Sequence, residues 1–276
     1  MKIGVFIDAE NIRRSGGYGI RYDVLRDYVS QFGDPIRLNS YMSIDESRMR
    51  SDYDYRDRTN GFLSIVRSYG FKVITKAIRW FEDEEGQRIG KANADLDMAV
   101  DMLLQSQHLD TIYLLTGDGD FKRVVHALQN MGIRVELIAF RYVSRDLLHE
   151  ADQFLSGYLI PNLLPVPDQR QEDWGAIGCR TRGYCYSIQD GYGFMKYLDI
   201  DMRSWRDIFF HFSQLPERHY VNLDDIFEFT IEESPRSEGG ILATNMQLLH
   251  TRHYYHDKFA NSNANSNPQP YANVEK

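Results

Sequence analysis

Aspartates follow two apolar segments that have the character of buried strands. Asp8 ends the run KIGVFID (2–8), and Asp118 and Asp120 follow TIYLLT (111–116) in the segment TGDGDF. If both runs are parallel strands of one sheet, their carboxyl ends meet at one edge, where these carboxylates gather. Clustered carboxylates repel one another and stay ionised together only beside a cation. The pattern therefore predicts a divalent-metal site.

A helix predicted over residues 94–107 supplies further acids. Asp95 lies near its start, where its carboxylate can point back toward the strand edge, and is about 120° around the helix from Asp101. Asp97 and Asp101 are about 40° apart and share a face, which alone is typical of a solvated helix surface. The stripe that we expect to be buried consists of Leu96, Val100, Leu103 and Leu104.

The ligand types indicate which metal this edge would bind. These motifs contain no histidine or cysteine, and oxygen ligands alone favour Mg²⁺ or Mn²⁺ over Zn²⁺. Gly117 and Gly119 allow a tight or positive-φ turn, and Asp120 is also placed to cap the next helix. Each aspartate alone would be typical of a turn or a cap, so it is their conjunction that favours a site that binds phosphate and activates water.

The elements that must position these acids alternate between strands and helices. Such alternation implies an α/β fold, with a parallel sheet covered by helices on both faces. In these sheets ligands bind beyond the carboxyl ends of the strands. Apolar spacing predicts strands at 2–8, 36–44, 71–80, 111–116 and 133–140, helices at 22–32, 58–69, 94–107, 121–131 and 144–154, and a charged loop at 82–90.

Three motifs in order resemble the NYN domain, the LabA-like branch of the PIN-like nucleases. They are FIDAENI, Lys91 four residues before Asp95 with Asp101 six residues on, and TGDGDF. The resemblance covers residues 1–160 and implies a PIN-like Rossmannoid fold with metal-dependent ribonuclease chemistry. It implies catalytic metal-site acids at Asp8, Asp95, Asp118 and Asp120 and a secondary metal position at Asp101. It also implies that Asn11, as a catalytic residue, helps to position the metal or the substrate and that Lys91 contacts phosphate.

The composition and the hydrophobic pattern of the chain change after residue 160. Residues 161–175 hold three of the eight prolines and are interpreted as a linker. Residues 176–250 consist of short β runs separated by turns, which predicts a small all-β barrel or sandwich. Residues 251–276 are polar and rich in Asn, Ser and Pro, which is typical of a disordered tail.

Aromatic residues are concentrated in two of the β runs, GYGFMKY (191–197) and DIFFHFS (207–213). Side chains alternate between the faces of a strand, so Tyr192 and Phe194 share one face. Exposed rings on one sheet face form a stacking platform for unpaired bases, whereas rings on the inner face form a core. Small β domains favour the second use, and Phe210 is our prediction for a core ring.

These two runs resemble the RNP motifs of a cold-shock domain, an OB-fold that binds single-stranded nucleic acid. The resemblance covers residues 178–250 and implies that the barrel binds unpaired RNA. Phe212 is included on the resemblance alone, because strict alternation places it with Phe210. The implied base contacts are Tyr186, Tyr192, Phe194, Phe209, His211 and Phe212.

Composition sets limits on the remaining possibilities. The 276 residues carry a net charge of -8, which argues against strong non-specific binding to nucleic acid. Two cysteines, Cys179 and Cys185, lack metal-ligand spacing, and no signal peptide or membrane span is recognisable, so we expect a cytoplasmic protein. His250, His253 and His256 are interpreted as solvated. The sequence leaves a homodimer open.

The two halves together predict a metal-dependent endoribonuclease to which the β domain presents single-stranded RNA. The sequence leaves open a non-catalytic RNA-binding adaptor built from the same folds. A phosphatase with an aspartyl intermediate is disfavoured, because such enzymes usually begin with a DxD motif and here Ala9 and Glu10 follow Asp8.

Overall fold

The computed structural model describes residues 1–82, 88–92, 94–216, 220–235 and 239–251, without the side chains of residues 88–91. The chain forms two compact units, the first spanning Met1–Pro165 and the second beginning at Val166. Within the described residues, no helix is both long enough and apolar enough to cross a membrane. Most of the tail predicted at 251–276 lies outside the described part, as do His253 and His256.

The first unit alternates strands and helices, with a hairpin inserted after its third strand. Its strands are β1 (Lys2–Asp8), β2 (Asp34–Ile44), β3 (Lys72–Ala77), β4 (Arg79–Glu82), β5 (Arg88–Lys91), β6 (Thr111–Leu115), β7 (Arg134–Ala139) and β8 (Gln153–Ser156). Its helices are α1 (Ala9–Arg14), α2 (Tyr22–Ser30), α3 (Glu46–Ser51), α4 (Tyr53–Ser68), α5 (Ala94–Gln105), α6 (Lys122–Asn130) and α7 (Arg145–Glu150).

Six of these strands form one parallel sheet in the order β3-β2-β1-β6-β7-β8. β1 and β6 are almost continuously apolar, because helices cover both faces of the sheet centre. The strand order reverses between β1 and β6, and this reversal opens a crevice at the carboxyl ends of the two strands. The predicted α/β fold with a parallel sheet is confirmed.

Two local predictions in this unit are wrong. The helix expected over 144–154 ends at Glu150, and the sheet gains β8 instead. The Asp152 carboxylate accepts a hydrogen bond from the Val135 backbone N–H (2.7 Å), which directs the chain alongside β7. Where the sequence suggested a single β run and then a charged loop, β4 and β5 pair as an antiparallel hairpin.

The stripe expected to be buried on α5 is wrong at three of its four positions, whereas Leu103 is partly buried against the core. Leu96, Val100 and Leu104 are 62%, 47% and 66% exposed. The residues buried on α5 are Ala94, Met98 and Met102, which are spaced four residues apart. Both faces of this helix are apolar, so periodicity alone did not distinguish them, and the adaptable methionines pack against the sheet.

The second unit is a closed five-stranded barrel in the order β10-β11-β13-β12-β9. β11 and β13 run parallel, whereas the other neighbouring strands are antiparallel. This is an OB-like arrangement, and it confirms the predicted all-β second unit. The strands are β9 (Arg180–Ile188), β10 (Tyr192–Leu198), β11 (Trp205–His211), β12 (Ile226–Glu233) and β13 (Ile241–His250).

The barrel interior is filled by side chains that alternate inward along the strands. Phe210 is fully buried there, as predicted, together with Met195, Phe227 and Phe229. The segment 161–175, interpreted from sequence as a linker, carries buried side chains. One of them, Trp174, is buried in the second unit, where its indole N–H donates to the Leu198 carbonyl (2.9 Å).

Candidate functional site

Asp8 lies at the carboxyl end of β1, in the crevice between β1 and β6, and its side chain is 6% exposed. One carboxylate oxygen accepts a hydrogen bond from the Asn11 backbone N–H (3.0 Å), which caps α1. The other accepts from the Thr116 hydroxyl (3.2 Å). Each carboxylate oxygen has about two lone-pair sites, so both oxygens retain the capacity to bind a cation.

The loops after β1 and β6 are joined by further hydrogen bonds around this carboxylate. The Thr116 hydroxyl accepts from the Asp118 N–H (3.2 Å), and the Asn11 side-chain oxygen accepts from the Gly117 N–H (2.8 Å). Asn11 therefore positions the loop that carries Asp118. The bonds fix the spacing between Asp8 and the next acidic segment.

Glycine is required in the second loop because another loop approaches it closely. A Cβ at Gly117 would lie 3.1 Å from the Tyr142 carbonyl oxygen, and one at Gly119 would lie 2.6 Å from the Ser144 hydroxyl. The Ser144 N–H also donates to the Gly117 carbonyl (2.9 Å). Neither glycine is among the positive-φ residues, so close packing is the reason for glycine here.

The capping residue in this loop is Asp118, and the prediction that Asp120 caps the helix is wrong. The Asp118 carboxylate accepts from the Asp120 N–H (3.0 Å) and begins the short 3-10 turn Gly119–Phe121, which leads into α6. Asp120 lies in the first turn instead, where the helix N-terminus stabilises a negatively charged side chain.

The four acids act on one another electrostatically. The pKa of Asp8 rises from its usual 3.8 to about 6, mainly because of burial; the charges of Asp95 and Asp118 also raise it, and the hydrogen bonds from Asn11 and Thr116 oppose the rise. Desolvation raises the pKa of Asp95, and so do the charges of Asp118 and Asp120. α5 begins at the same sheet edge because it precedes the parallel strand β6, and this brings Asp95 to the crevice.

This all-oxygen donor set fits Mg²⁺ or Mn²⁺, because a hard dication would neutralise the buried charge of Asp8 and relieve its repulsion with Asp95 and Asp118. Among the described residues, no three Asp, Glu, His or Cys side chains already surround a common point at metal-binding distance. Closing a coordination shell would therefore require the carboxylates to move toward a bound ion.

Three other residues singled out in the sequence are not placed at the metal site. Two of them make other contacts, and the side chain of the third is not among the described ones. The Asp101 carboxylate accepts a hydrogen bond from the buried Tyr41 hydroxyl (2.7 Å), and Asp101 lies about 9 Å along α5 from Asp95. Asp97 pairs with Lys76 (2.6 Å) in a partly exposed ion pair. Lys91 ends β5, but its side chain is outside the described residues.

The outer face of β10 and β11 carries a cluster of aromatic rings. The ring centroids of Tyr192, Phe194 and Phe209 lie 5.6 to 5.9 Å apart, and all three rings are partly or well exposed. His211 pairs with Tyr192 across the strands on this face and is exposed. The structure therefore groups these four predicted base contacts on one surface of the barrel.

The other two predicted contacts differ from each other: Tyr186 lies on the same outer face as these rings, whereas Phe212 packs inward. Tyr186 is exposed on β9, and the Lys196 ammonium lies 5.0 Å from its ring centroid. Phe212 is partly buried and stacks on Phe210 with a centroid distance of 6.1 Å, so it packs against the barrel core. This position agrees with strand alternation, which had placed Phe212 with Phe210.

A further aromatic pair on the barrel surface was not identified from sequence. Tyr184 and exposed Trp205 contact edge to face at a centroid distance of 5.6 Å. Tyr184 lies two residues before Tyr186, so strand alternation was the signal that could have placed it on the same face. Trp205 lies outside both sequence motifs, and the pairing of its strand was needed to find it.

The family model of the NYN domain matches residues 2–163, which is more than half of the chain. The chain belongs to the NYN domain family. The Low amplitude and bright protein LabA of Synechococcus elongatus is 26% identical over 166 residues, which cover 56% of this chain and 82% of that protein. A solved protein of unknown function from Vibrio parahaemolyticus shares 22% identity, covering 56% of this chain and 91% of that one, with a TM-score of 0.45.

The NYN match spans the whole first sheet and all four acids of the crevice. The NYN unit also contains residues whose roles the sequence did not reveal. Thr116 is fully buried and links Asp8 to the Asp118 backbone, and Ser144 holds the loop of Gly117 from the other side. Both act through hydrogen bonds between loops that are far apart in sequence.

Proposed function

We propose that this NYN protein is a divalent-metal-dependent endoribonuclease that cleaves single-stranded RNA. The observation that carries the proposal is the buried carboxylate of Asp8, held in the crevice beside the charges of Asp95 and Asp118. A carboxylate with a raised pKa at a sheet's ligand-binding edge is a candidate functional group. Membership of the family of PIN-like nucleases supports the same reading.

In the proposed site, Asp8, Asp95 and Asp118 hold Mg²⁺ or Mn²⁺, and Asp120 lies beside them. The bound ion would orient a water for attack on a phosphodiester and stabilise the departing oxygen. Asn11 and Thr116 act on the protein side, because their hydrogen bonds fix Asp8 and the Asp118 loop in one frame. Removing such supporting contacts typically costs about 10- to 100-fold in metal affinity or activity.

We place Asp101 outside the set that holds the metal. Its carboxylate is engaged by the Tyr41 hydroxyl, and its position along α5 separates it from Asp95. Lys91 remains a proposed phosphate contact on the basis of its place in the motif, four residues before Asp95.

We further propose that the OB-like barrel works as a cold-shock-like module that presents the RNA. Rings on a sheet surface stack with unpaired bases, and the cluster of Tyr192, Phe194 and Phe209 offers such a surface. Lys196 beside Tyr186 adds a positive charge for the phosphate backbone. Both cysteines are free, which suits a protein that acts in the reducing cytoplasm.

The test is cleavage of a labelled single-stranded RNA in Mg²⁺ and, separately, in Mn²⁺. Asp8→Asn and Asp118→Asn should each abolish cleavage, and EDTA should abolish cleavage by the wild-type protein. Asp97→Asn is the matched control. It makes the same Asp-to-Asn change on α5, the helix that carries Asp95, but removes only a partly exposed ion pair. We expect it to retain cleavage.

The outcomes separate the proposal from its alternative. Cleavage that survives both Asp8→Asn and Asp118→Asn would reject this active site. RNA binding without cleavage in either metal would favour a non-catalytic RNA-binding adaptor. Loss of RNA binding in Phe194→Ala, with folding unchanged, would support the role of the barrel surface, and unchanged binding would reject it.

A further inference from the structure

A tyrosine beside the crevice has an unusual environment. Tyr142 lies in the loop between β7 and α7, at the same sheet edge as Asp8 and Asp118. Its side chain is 81% exposed, the largest exposure among the large apolar residues of the described chain. Its backbone is left-handed, with φ at 56°. A bulky residue rarely adopts this conformation, and its strain persists only where the surroundings enforce it.

Anchors on both sides enforce the conformation of this loop. Before Tyr142, the Phe140 ring is buried and the Arg141 N–H donates to the Ser15 carbonyl (2.9 Å). After it, the Ser144 N–H donates to the Gly117 carbonyl (2.9 Å). The loop is therefore fixed against the two loops that follow β1 and β6, and Tyr142 lies at its exposed apex.

Fold stability does not explain a tyrosine at this position. Glycine or asparagine would adopt the same φ with less strain. An exposed ring also gains little from burial, because most of its apolar surface still contacts water. The position thus carries both strain and exposed aromatic surface, and such outliers concentrate at functional sites.

The position of Tyr142 relative to the acids suggests what the ring binds. The Tyr142 carbonyl oxygen lies 3.1 Å from where a Cβ of Gly117 would be, so the residue packs directly on the loop that carries Asp118. In the proposed site a phosphate would bind to a metal ion held by Asp8 and Asp118, and a base next to that phosphate would lie within a side chain's reach of this loop. An aromatic ring can stack on any base, because every base has a π face.

We propose that Tyr142 is a base-stacking residue, which holds a nucleotide adjacent to the scissile phosphate of a single-stranded RNA. This inference rests on the proposed ribonuclease function and specifies how its substrate is positioned. Stacking tolerates any sequence, so Tyr142 would set the position of the RNA and leave the choice of sequence to other contacts.

Photocrosslinking tests the contact without requiring cleavage. Single-stranded RNA with 5-iodouridine at successive positions is bound to the full wild-type chain in Ca²⁺, irradiated, and the crosslinked peptides are mapped by mass spectrometry. We expect crosslinks on Tyr142 from one or two adjacent positions of the RNA. Crosslinks on the barrel aromatics without any on Tyr142 would overturn the proposal, even if the protein is an active nuclease.

Substitutions test the energetic role of the ring. Tyr142→Ala should weaken RNA engagement about 5- to 150-fold, seen as a higher KM, while Tyr142→Phe should preserve it. Tyr142→Gly should also weaken engagement, yet its melting temperature should equal or exceed that of wild type because the backbone strain is relieved. A purely structural tyrosine would instead lower the melting temperature in both the Ala and the Gly variants.

The control is Met131→Ala, which removes an exposed apolar side chain at the opposite edge of the sheet, before β7. It should leave KM unchanged. If wild type binds RNA but cleaves none, the proposed catalytic function fails while crosslinks and crosslink yields in the Tyr142 variants still decide this contact. Unchanged KM and crosslink yield in Tyr142→Ala would reject it.

Discussion

The burial of Asp8 predicts how the stability of the metal-free protein depends on pH. Its pKa rises from 3.8 in the unfolded chain to about 6 in the folded protein, mainly because the carboxylate is desolvated. The folded state therefore binds the proton more tightly than the unfolded state. Stability from this group is fully present below about pH 4 and is lost as the pH rises through 6.

The size of the effect follows from the shift in pKa. Two pKa units correspond to about 3 kcal/mol of unfolding free energy, the differential cost of ionising Asp8 inside the crevice. Asp8→Asn removes the ionisation but keeps an oxygen that can accept the capping bond from Asn11. We therefore expect the metal-free variant to be more stable than wild type at pH 7, by up to about this amount, and to lose the advantage near pH 4.

The assay is urea unfolding in EDTA between pH 4 and pH 8, for wild type, Asp8→Asn and the control Asp97→Asn. The difference between wild type and Asp8→Asn isolates the contribution of Asp8 from the other titrating groups. Mg²⁺ or Mn²⁺ should reverse the order at pH 7, since the ion stabilises only the protein that retains the carboxylate. A difference that is constant across this pH range would refute the reasoning about burial.

Three further predictions concern the supporting contacts. Asn11→Ala should lower metal affinity or cleavage rate about 10- to 100-fold, measured by metal titration, because the Gly117 N–H loses its acceptor. Asp101→Ala should cost about 1–3 kcal/mol in urea unfolding, because the buried Tyr41 hydroxyl loses its hydrogen-bond acceptor, and should leave cleavage intact. Glu228→Ala should destabilise the barrel by about 3 kcal/mol in the same assay, because it leaves the buried Arg182 guanidinium without this carboxylate.

The sequence predicted the parts of the fold that depend on local pattern. Buried strands such as β1 and β6 are continuous apolar runs, and α2 begins at Tyr22, where the apolar spacing placed the start of a helix. Asp8 and Asp118 were predicted together because both follow such runs, and parallel strands bring their ends to one edge. Family membership was predicted from motifs that lie in these same segments.

What the sequence did not predict depends on contacts between distant segments. α5 is apolar on both faces, so only packing against the sheet decides that Met98 is buried and Leu96 is exposed. β8 forms because β7 offers a free edge, which no local pattern reveals. Likewise, the link from Thr116 to Asp8 joins residues 108 positions apart, and no spacing rule predicts it.

The most direct test of the metal site is the cleavage rate of a labelled single-stranded RNA, measured against Mn²⁺ occupancy on the same protein by electron paramagnetic resonance. We predict that rate and occupancy rise together in wild type, and that Asp118→Asn loses both while remaining folded. Cleavage at full rate without bound Mn²⁺, or tight Mn²⁺ binding that persists in both Asp8→Asn and Asp118→Asn, would contradict a metal-dependent nuclease centred on these aspartates.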